Sequence, residues 1–257
     1  MQRASMFAAV GMITLVLSCA SSSDEPKEHV SSSAAALDTV SGFGPNPGNL
    51  LMFRYAPMGV PPKAPLVVVL HGCGGFSTFD HRLAATLPGY GISTLDVDYF
   101  APTPPPGSKG FCDARGAPFA FSTWAEVASA AAAKLRATPG IDERGVGVVG
   151  WSLGGAVALA AAAGPRSSRP FDAVAGFSTG SFHASASAAE LPPTILLSGG
   201  RTDAIPLAET LPLYQALKAA GVPTQLYVYP RGSHNWPGRQ GTLGIEHAAA
   251  FLQRYLR

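Results

Sequence analysis

The chain is poor in charge. Lys, Arg, Asp and Glu make up 13% of its 257 residues and the formal net charge is +2. That excludes the strongly basic face an electrostatic nucleic-acid surface needs, and the scattered Lys and Arg read as solvated surface. Histidine is scarce, at six, and the histidines form no cluster with carboxylates at metal-ligand spacing, so neither metal nor other cofactor is expected. Cysteine is scarcer still: Cys19, Cys73 and Cys112. The apolar run at residues 6–17 is too short to cross a bilayer comfortably. There is no internal repeat and no sign of a second domain.

The N-terminus carries a different message. Met1-Gln2-Arg3 is a short basic region ahead of the apolar run, the layout of an export signal. The run ends in Val16-Leu17-Ser18-Cys19, which resembles the lipobox of bacterial lipoproteins, with Leu17 a less usual choice. The resemblance implies a lipidated Cys19 as mature N-terminus and, with Ala20 following, an outer-membrane destination. The other reading is an ordinary cleaved signal with a chance cysteine. Residues 21–36 are polar and small. The expected division is a signal at 1–19, a flexible tether at 20–45 and one folded domain at 46–257. The chain is therefore expected to be exported, as a membrane-anchored lipoprotein at the outer membrane or in the periplasm, or otherwise secreted. In such a compartment Cys73 and Cys112 can form a bridge, or remain two free thiols; sequence leaves both open.

From residue 49 short apolar runs alternate with helical stretches. Residues 51–55 read as an edge strand and 66–70, Leu-Val-Val-Val-Leu, as a buried parallel strand. A helix is expected at 79–87, a strand at 91–97 and a helix at 121–138. Between them, residues 101–118 form a Pro- and Gly-rich loop too long for a mere connector, of the kind that lines a site. Strands follow at 146–149, 171–177, 194–198 and 225–229, with helices at 156–163, 206–220 and 242–255. Alternation of this kind implies a mostly parallel sheet with helices on both faces, joined by right-handed crossovers.

The strand at 146–149 runs into Gly150-Trp151-Ser152-Leu153-Gly154 and then at once into an Ala-rich helix. Strand, G-x-S-x-G and helix are the context of a nucleophile elbow, a sharp turn that presents a serine hydroxyl above a sheet. A second copy, Gly176-Phe177-Ser178-Thr179-Gly180, also follows a strand, but polar small residues and no glycine pair come after it. Ser152 is thus the expected nucleophile and Ser178 the weaker alternative. Serine needs a base to take its proton. Asp203 follows the strand at 194–198 and His234 the strand at 225–229, in the chain order Ser, acid, His that the elbow geometry requires. Asp96 and Asp98 precede the nucleophile and are out of order. His29, His183 and His247 are poorly placed. His71-Gly72-Cys73-Gly74-Gly75 follows the strand at 66–70, and its backbone, at Cys73, with the N–H of Leu153, is expected to form an oxyanion hole. His71 reads as a structural hydrogen-bonder there. Trp151 and Trp236 flank nucleophile and histidine, and read either as an apolar substrate wall or as ordinary core.

These residues resemble the α/β-hydrolase superfamily, and within it the dienelactone hydrolase-like branch. The likeness runs from about Leu66 to the C-terminus through HGCGG (71–75), DVDYF (96–100), GWSLGG (150–155), GGRTD (199–203) and YPRGSH (229–234). It implies an α/β-hydrolase fold without a large cap domain and a Ser152–His234–Asp203 triad acting through an acyl-enzyme. Dienelactone hydrolases proper carry cysteine at the elbow, so Ser152 is similar instead to esterase, feruloyl-esterase and polyester-hydrolase relatives. The implied substrate is a small-molecule or polymeric carboxylic ester. Lactone or dienelactone hydrolysis is the neighbouring alternative, and a non-catalytic surface lipoprotein that binds through the same fold is the alternative of another class. Membrane contact is expected through the lipid anchor only, and no nucleic acid as partner.

Overall fold

The computed structural model describes residues 32–43, 46–57, 64–100, 111–112, 121–136, 141–180 and 184–256. The expected signal, Cys19 and most of the long loop at 101–118 lie outside the described residues. Among the described residues there are eight strands: β1 (Ser32–Phe43), β2 (Asn46–Pro57), β3 (Ala64–Leu70), β4 (Ser93–Val97), β5 (Ile141–Trp151), β6 (Ala173–Phe177), β7 (Thr194–Ser198) and β8 (Thr224–Val228). Five α-helices accompany them: α1 (Thr78–Thr86), α2 (Phe121–Arg136), α3 (Leu153–Ala162), α4 (Leu207–Ala219) and α5 (Gly238–Tyr255). The strands join one sheet in the order β1-β2-β4-β3-β5-β6-β7-β8. β1 pairs antiparallel with β2 and β2 antiparallel with β4; all other neighbours are parallel.

Two expectations change at this edge. Residues 32–43, placed in a tether, form β1, and β2, expected at the edge, lies inside it. Composition marks a small, polar segment as weakly structured, whereas a partner strand supplies a ladder of backbone hydrogen bonds that composition does not show.

The rest follows from the period-2 alternation of a sheet covered on both faces. In β3, Leu66, Val68 and Leu70 join one core layer and Val67 and Val69 the other, and all five are fully buried. The first layer lies under α2, α3 and α4, around Trp124, Val157 and Leu213. The second lies under α1 and α5, where Phe79, Leu83, Ile245 and Leu252 pack on Val69, Phe177 and Leu197. α5 buries Ile245, Ala248, Ala249 and Leu252, the i, i+3, i+4, i+7 stripe of a helix lying on a sheet. α3 is different. It is buried nearly all round, from Leu153 through Leu159, because it crosses the middle of the sheet directly after β5. α1 starts at a capping box, with Ser77 Oγ accepting from the Phe79 N–H and Asp80 accepting from the Ser77 N–H.

Candidate active site

The β5–α3 junction sets the geometry. A Cβ on Gly150 would come within 2.1 Å of the Gly154 carbonyl oxygen, and one on Gly154 within 2.3 Å of the carbonyls of Leu70 and His71. Only glycine at both places lets helix and strand approach so closely. Between them Ser152 takes φ 56°, ψ −119°, in the positive-φ region that non-glycine residues avoid. Serine at a helix N-cap ordinarily folds its hydroxyl back onto the helix. Here no such bond forms, and the hydroxyl is left for another partner.

That partner is His234. Its Nε2 lies 2.9 Å from Ser152 Oγ, and its Nδ1 lies 2.7 Å from Asp203 Oδ1. The two loops supplying acid and histidine are tied together beyond β7 and β8. Gly200 N–H donates to the Gly232 carbonyl at 2.7 Å, and Thr202 and Ser233 form an isolated parallel bridge. Three residues distant in sequence thus meet at the C-terminal edge of the parallel part of the sheet, beyond β5, β7 and β8. The structure brings together the Ser152, His234 and Asp203 that the chain order singles out.

Asp203 is well supplied with donors. Oδ1 also accepts the Ile205 N–H at 3.0 Å, while Oδ2 accepts the Gly199 N–H at 2.9 Å and the Ser178 hydroxyl at 2.5 Å. Burial pushes this carboxyl up, but donation from His234, Ser178 and the Ile205 N–H outweighs it and holds Asp203 below its usual range. It is therefore ionised at neutral pH and fixes the histidine tautomer with a proton on Nδ1.

The loop after β3 stands on the other side of Ser152. A Gly75 N–H to Gly72 carbonyl bond of 3.2 Å closes its turn, and Cys73 is joined by a disulfide to Cys112 with 5.0 Å between Cα atoms. Phe111 N–H donates to the Cys73 carbonyl at 2.6 Å, so the loop is pinned by a covalent and a hydrogen bond at one residue. Leu153 opens α3, and the first N–H groups of a helix have no intrahelical acceptor. His71 is fully buried, stacked on Tyr99 at 4.3 Å, with Nδ1 on the Gly72 carbonyl and Nε2 3.4 Å from Asp98. It braces the loop, as expected.

The two tryptophans part company. Trp151 is half-buried, with its Nε1 donating to the His234 carbonyl at 2.7 Å. Trp236 is fully buried against Phe177 and Tyr229, and its Nε1 donates to Ser178 Oγ at 2.8 Å. The reading of Trp236 as a substrate wall is thereby corrected: a side chain with no exposure packs the core and touches no substrate. Ser178 is likewise inaccessible, at 0% exposure. Its link to Asp203 is a feature the sequence did not reveal, because G-x-S-x-G drew attention to attack rather than support.

One group of possible ligand side chains lies away from the triad. Among the described residues Asp80, His81 and Asp96 bring three ligand atoms within 4.8 Å of one another, a grouping that spacing alone did not suggest. α1 crossing over β4 creates it. Asp80 is occupied by its capping role, and His81 Nδ1 lies 2.8 Å from Asp96 Oδ2, which makes the group an ion pair beside a helix cap. Arg201 and Arg231 are exposed, and His247 on α5 contacts the Tyr229 hydroxyl.

Known proteins resemble parts of this chain. A 43-residue stretch, 17% of this chain and 10% of the other protein, is 65% identical to poly(3-hydroxyalkanoate) depolymerase C of Paucimonas lemoignei. Over 76 residues, 26% of this chain and 21% of the relative, it is 40% identical to feruloyl esterase B of Talaromyces stipitatus. The chain thus spans a minor part of the length of the curated relatives it matches. A dienelactone hydrolase structure from Anabaena variabilis, 24% identical, superposes with a TM-score of 0.67 over 86% of this chain and 99% of that one, which shows the fold. The model of the Dienelactone hydrolase family matches residues 53–254, and with this match over most of its length the chain belongs to that family.

Proposed function

We propose that this protein is a serine carboxylic-ester hydrolase that works through an acyl-enzyme. The observation that carries the reading is the continuous chain from Ser152 Oγ through His234 to Asp203, with contacts of 2.9 and 2.7 Å. In the reaction Ser152 Oγ attacks the ester carbonyl while His234 Nε2 takes its proton. The imidazolium that forms is stabilised by ionised Asp203. The carbonyl oxygen, now an oxyanion, accepts from the backbone N–H groups of Cys73 and Leu153. Collapse breaks the bond to the alkoxy oxygen, which leaves with the proton from His234 Nε2. Water then enters, gives a proton to His234 and attacks the acyl carbon, and Ser152 recovers its proton as the acid departs.

The local matches to a poly(3-hydroxyalkanoate) depolymerase and a feruloyl esterase support esters of hydroxyalkanoic or hydroxycinnamic acids as the substrate class. Ser152 at the elbow favours this over dienelactone cleavage. Purified protein is to be tested on p-nitrophenyl esters of rising chain length, methyl ferulate and poly(3-hydroxybutyrate), beside Ser152→Ala. Turnover lost in the variant supports the proposal. A folded wild type inert on every ester favours a binding module, and activity surviving in Ser152→Ala rejects the nucleophile.

Export belongs to the same proposal. It rests on residues 1–19 and on the Cys73–Cys112 disulfide, a bond that persists in oxidising compartments. The mass of the membrane-extracted N-terminal peptide tests the anchor: acylated Cys19 supports it, and an unmodified terminus elsewhere rejects it.

A further inference from the structure

We propose that Ser178 and Trp236 are a positioning pair behind the acid: the Trp236 indole sets the direction of the Ser178 hydroxyl, and that hydroxyl holds the Asp203 carboxylate in the orientation His234 requires. The inference rests on the serine-hydrolase reading above and adds two residues to it, neither of which touches substrate.

Proton direction follows from donor chemistry. An indole N–H donates and cannot accept, whereas a serine hydroxyl does both. Trp236 Nε1, 2.8 Å from Ser178 Oγ, therefore occupies a lone pair of that oxygen. The hydroxyl proton is left to the nearest acceptor, Asp203 Oδ2 at 2.5 Å. Without the indole the hydroxyl is a rotor with a choice of orientations. With it, the proton points at the carboxylate.

The carboxylate needs that donor. Oδ1 is held by His234 Nδ1 and the Ile205 N–H, and Oδ2 by Ser178 and the Gly199 N–H. Two donors on each oxygen fix both the position and the rotation of the group. Loss of Ser178 leaves Oδ2 with the Gly199 N–H alone at a buried site, so three donors hold the carboxylate where four did and its rotation is less constrained. Oδ1 would then leave the line of the imidazole N–H, and the histidine would lose the orientation that aims Nε2 at Ser152. Ser178 also cannot serve as a second nucleophile: it is fully buried and its proton is committed to a carboxylate.

The backbone gives an independent observation. Among the described residues, the non-glycine positions with positive φ are Ser152 at 56°, Ser178 at 44° and Trp236 at 49°. All three belong to one hydrogen-bonded series, Trp236–Ser178–Asp203–His234–Ser152. Non-glycine residues persist in that region where surrounding contacts over-determine them, and such positions gather at functional sites. Here the Ser178 N–H is held by the Leu197 carbonyl at 2.8 Å and the Trp236 N–H by the Ser233 carbonyl at 3.0 Å, while Arg82 donates to the Trp236 carbonyl. The adjacent strand ends of β6 and β7 thus deliver Ser178 to the acid, and the loop carrying the histidine delivers the indole.

The test is a double-mutant cycle of Ser178→Ala and Trp236→Phe, read as kcat and KM on a p-nitrophenyl ester well below each variant's melting temperature. Active sites are counted by a fluorophosphonate label. The expected result is a kcat per labelled site lowered about tenfold in Ser178→Ala, as for loss of a charge-assisted bond, with KM changed by less than about twofold. Trp236→Phe keeps an aromatic ring, loses the N–H and lowers kcat about threefold. The double variant is no slower than Ser178→Ala, because the indole acts through the hydroxyl. Lower thermal stability with unchanged kcat per site in Ser178→Ala, or additive effects in the double variant, overturns the inference while leaving Ser152 labelling intact. A wild type in which Ser152 takes no label overturns the hydrolase reading itself, and the two failures are thereby distinct. Should Ser178→Ala not accumulate as folded protein, Trp236→Phe decides: a kcat loss at constant KM supports the pair, and an unchanged kcat overturns it.

Discussion

The indole Nε1 of Trp151 donates to the backbone carbonyl of His234 at 2.7 Å, so the residue next to the nucleophile anchors the loop that carries the base. The two rings lie 5.4 Å apart. Trp151 is in β5 and His234 beyond β8, and this single bond spans the sheet edge between them. Trp151→Phe keeps an aromatic ring and removes the bond. We expect kcat to fall about fivefold, the equivalent of one net side-chain hydrogen bond, with little change in KM. Steady-state kinetics on a short ester checks this; an unchanged kcat would show that the His234 loop needs no such anchor.

Asp203→Asn preserves the shape of the acid but not its charge, and lets the histidine adopt the tautomer that cannot take the Ser152 proton. The expected loss in kcat is on the order of 10⁴-fold, with folding retained. Circular dichroism beside kinetics separates this from unfolding. A variant within about tenfold of wild type would remove Asp203 from the reaction.

The disulfide links residues 39 apart in sequence, closing a loop that includes β4. Its joint replacement, Cys73→Ser with Cys112→Ser, is expected to cost about 2–4 kcal/mol of stability, mainly through the freed unfolded chain. Cys73 is also the proposed oxyanion donor, so kcat should fall more than stability alone explains at temperatures where the variant is folded. A lower melting temperature with kcat intact would show that the disulfide is not needed to hold the backbone of this loop in place.

Stability should respond to pH through the pair His81 and Asp96. The contact with Asp96 raises the His81 pKa above its ordinary 6.5 against the opposing effect of burial, while burial raises the Asp96 carboxyl against the effect of His81. Both groups therefore hold protons more tightly when folded than when unfolded. The stability they confer is full below their unfolded values, 3.8 and 6.5, and is lost as pH rises through the raised folded ones. Asp203 works in the opposite window, its depressed pKa giving stability above 3.8 that is lost as pH falls through the folded value. Thermal melts from pH 5 to 9, read against Asp96→Asn, are expected to show a decline on the alkaline side of about 6.5 that flattens in the variant. Equal slopes in both proteins would contradict it.

Much of the site was legible because its signals are local. Ser152 declares itself by a strand, two tight glycines and an Ala-rich helix within a few residues. Asp203 and His234 each follow a strand, in the right order. What stayed hidden depends on contacts between distant segments. Ser178 reaches Asp203 because β6 and β7 are neighbours, with Phe177 paired to Leu197, and a motif read along the chain cannot show that. Trp236 near His234 reads equally as pocket wall or as core, because sequence gives no side-chain direction in a loop. Asp80, His81 and Asp96 meet because α1 lies over β4. β1 was missed for the same reason, since its order comes from pairing with β2 and its own composition is small and polar.

The measurement to make first is covalent labelling of the wild type with a fluorophosphonate, followed by peptide mass spectrometry and ester turnover on the same sample. We predict a single modified site at Ser152, loss of turnover in proportion to labelling, and label uptake slowed strongly by His234→Ala. Label on a different serine, or full ester turnover with Ser152 replaced by alanine, would contradict the assignment.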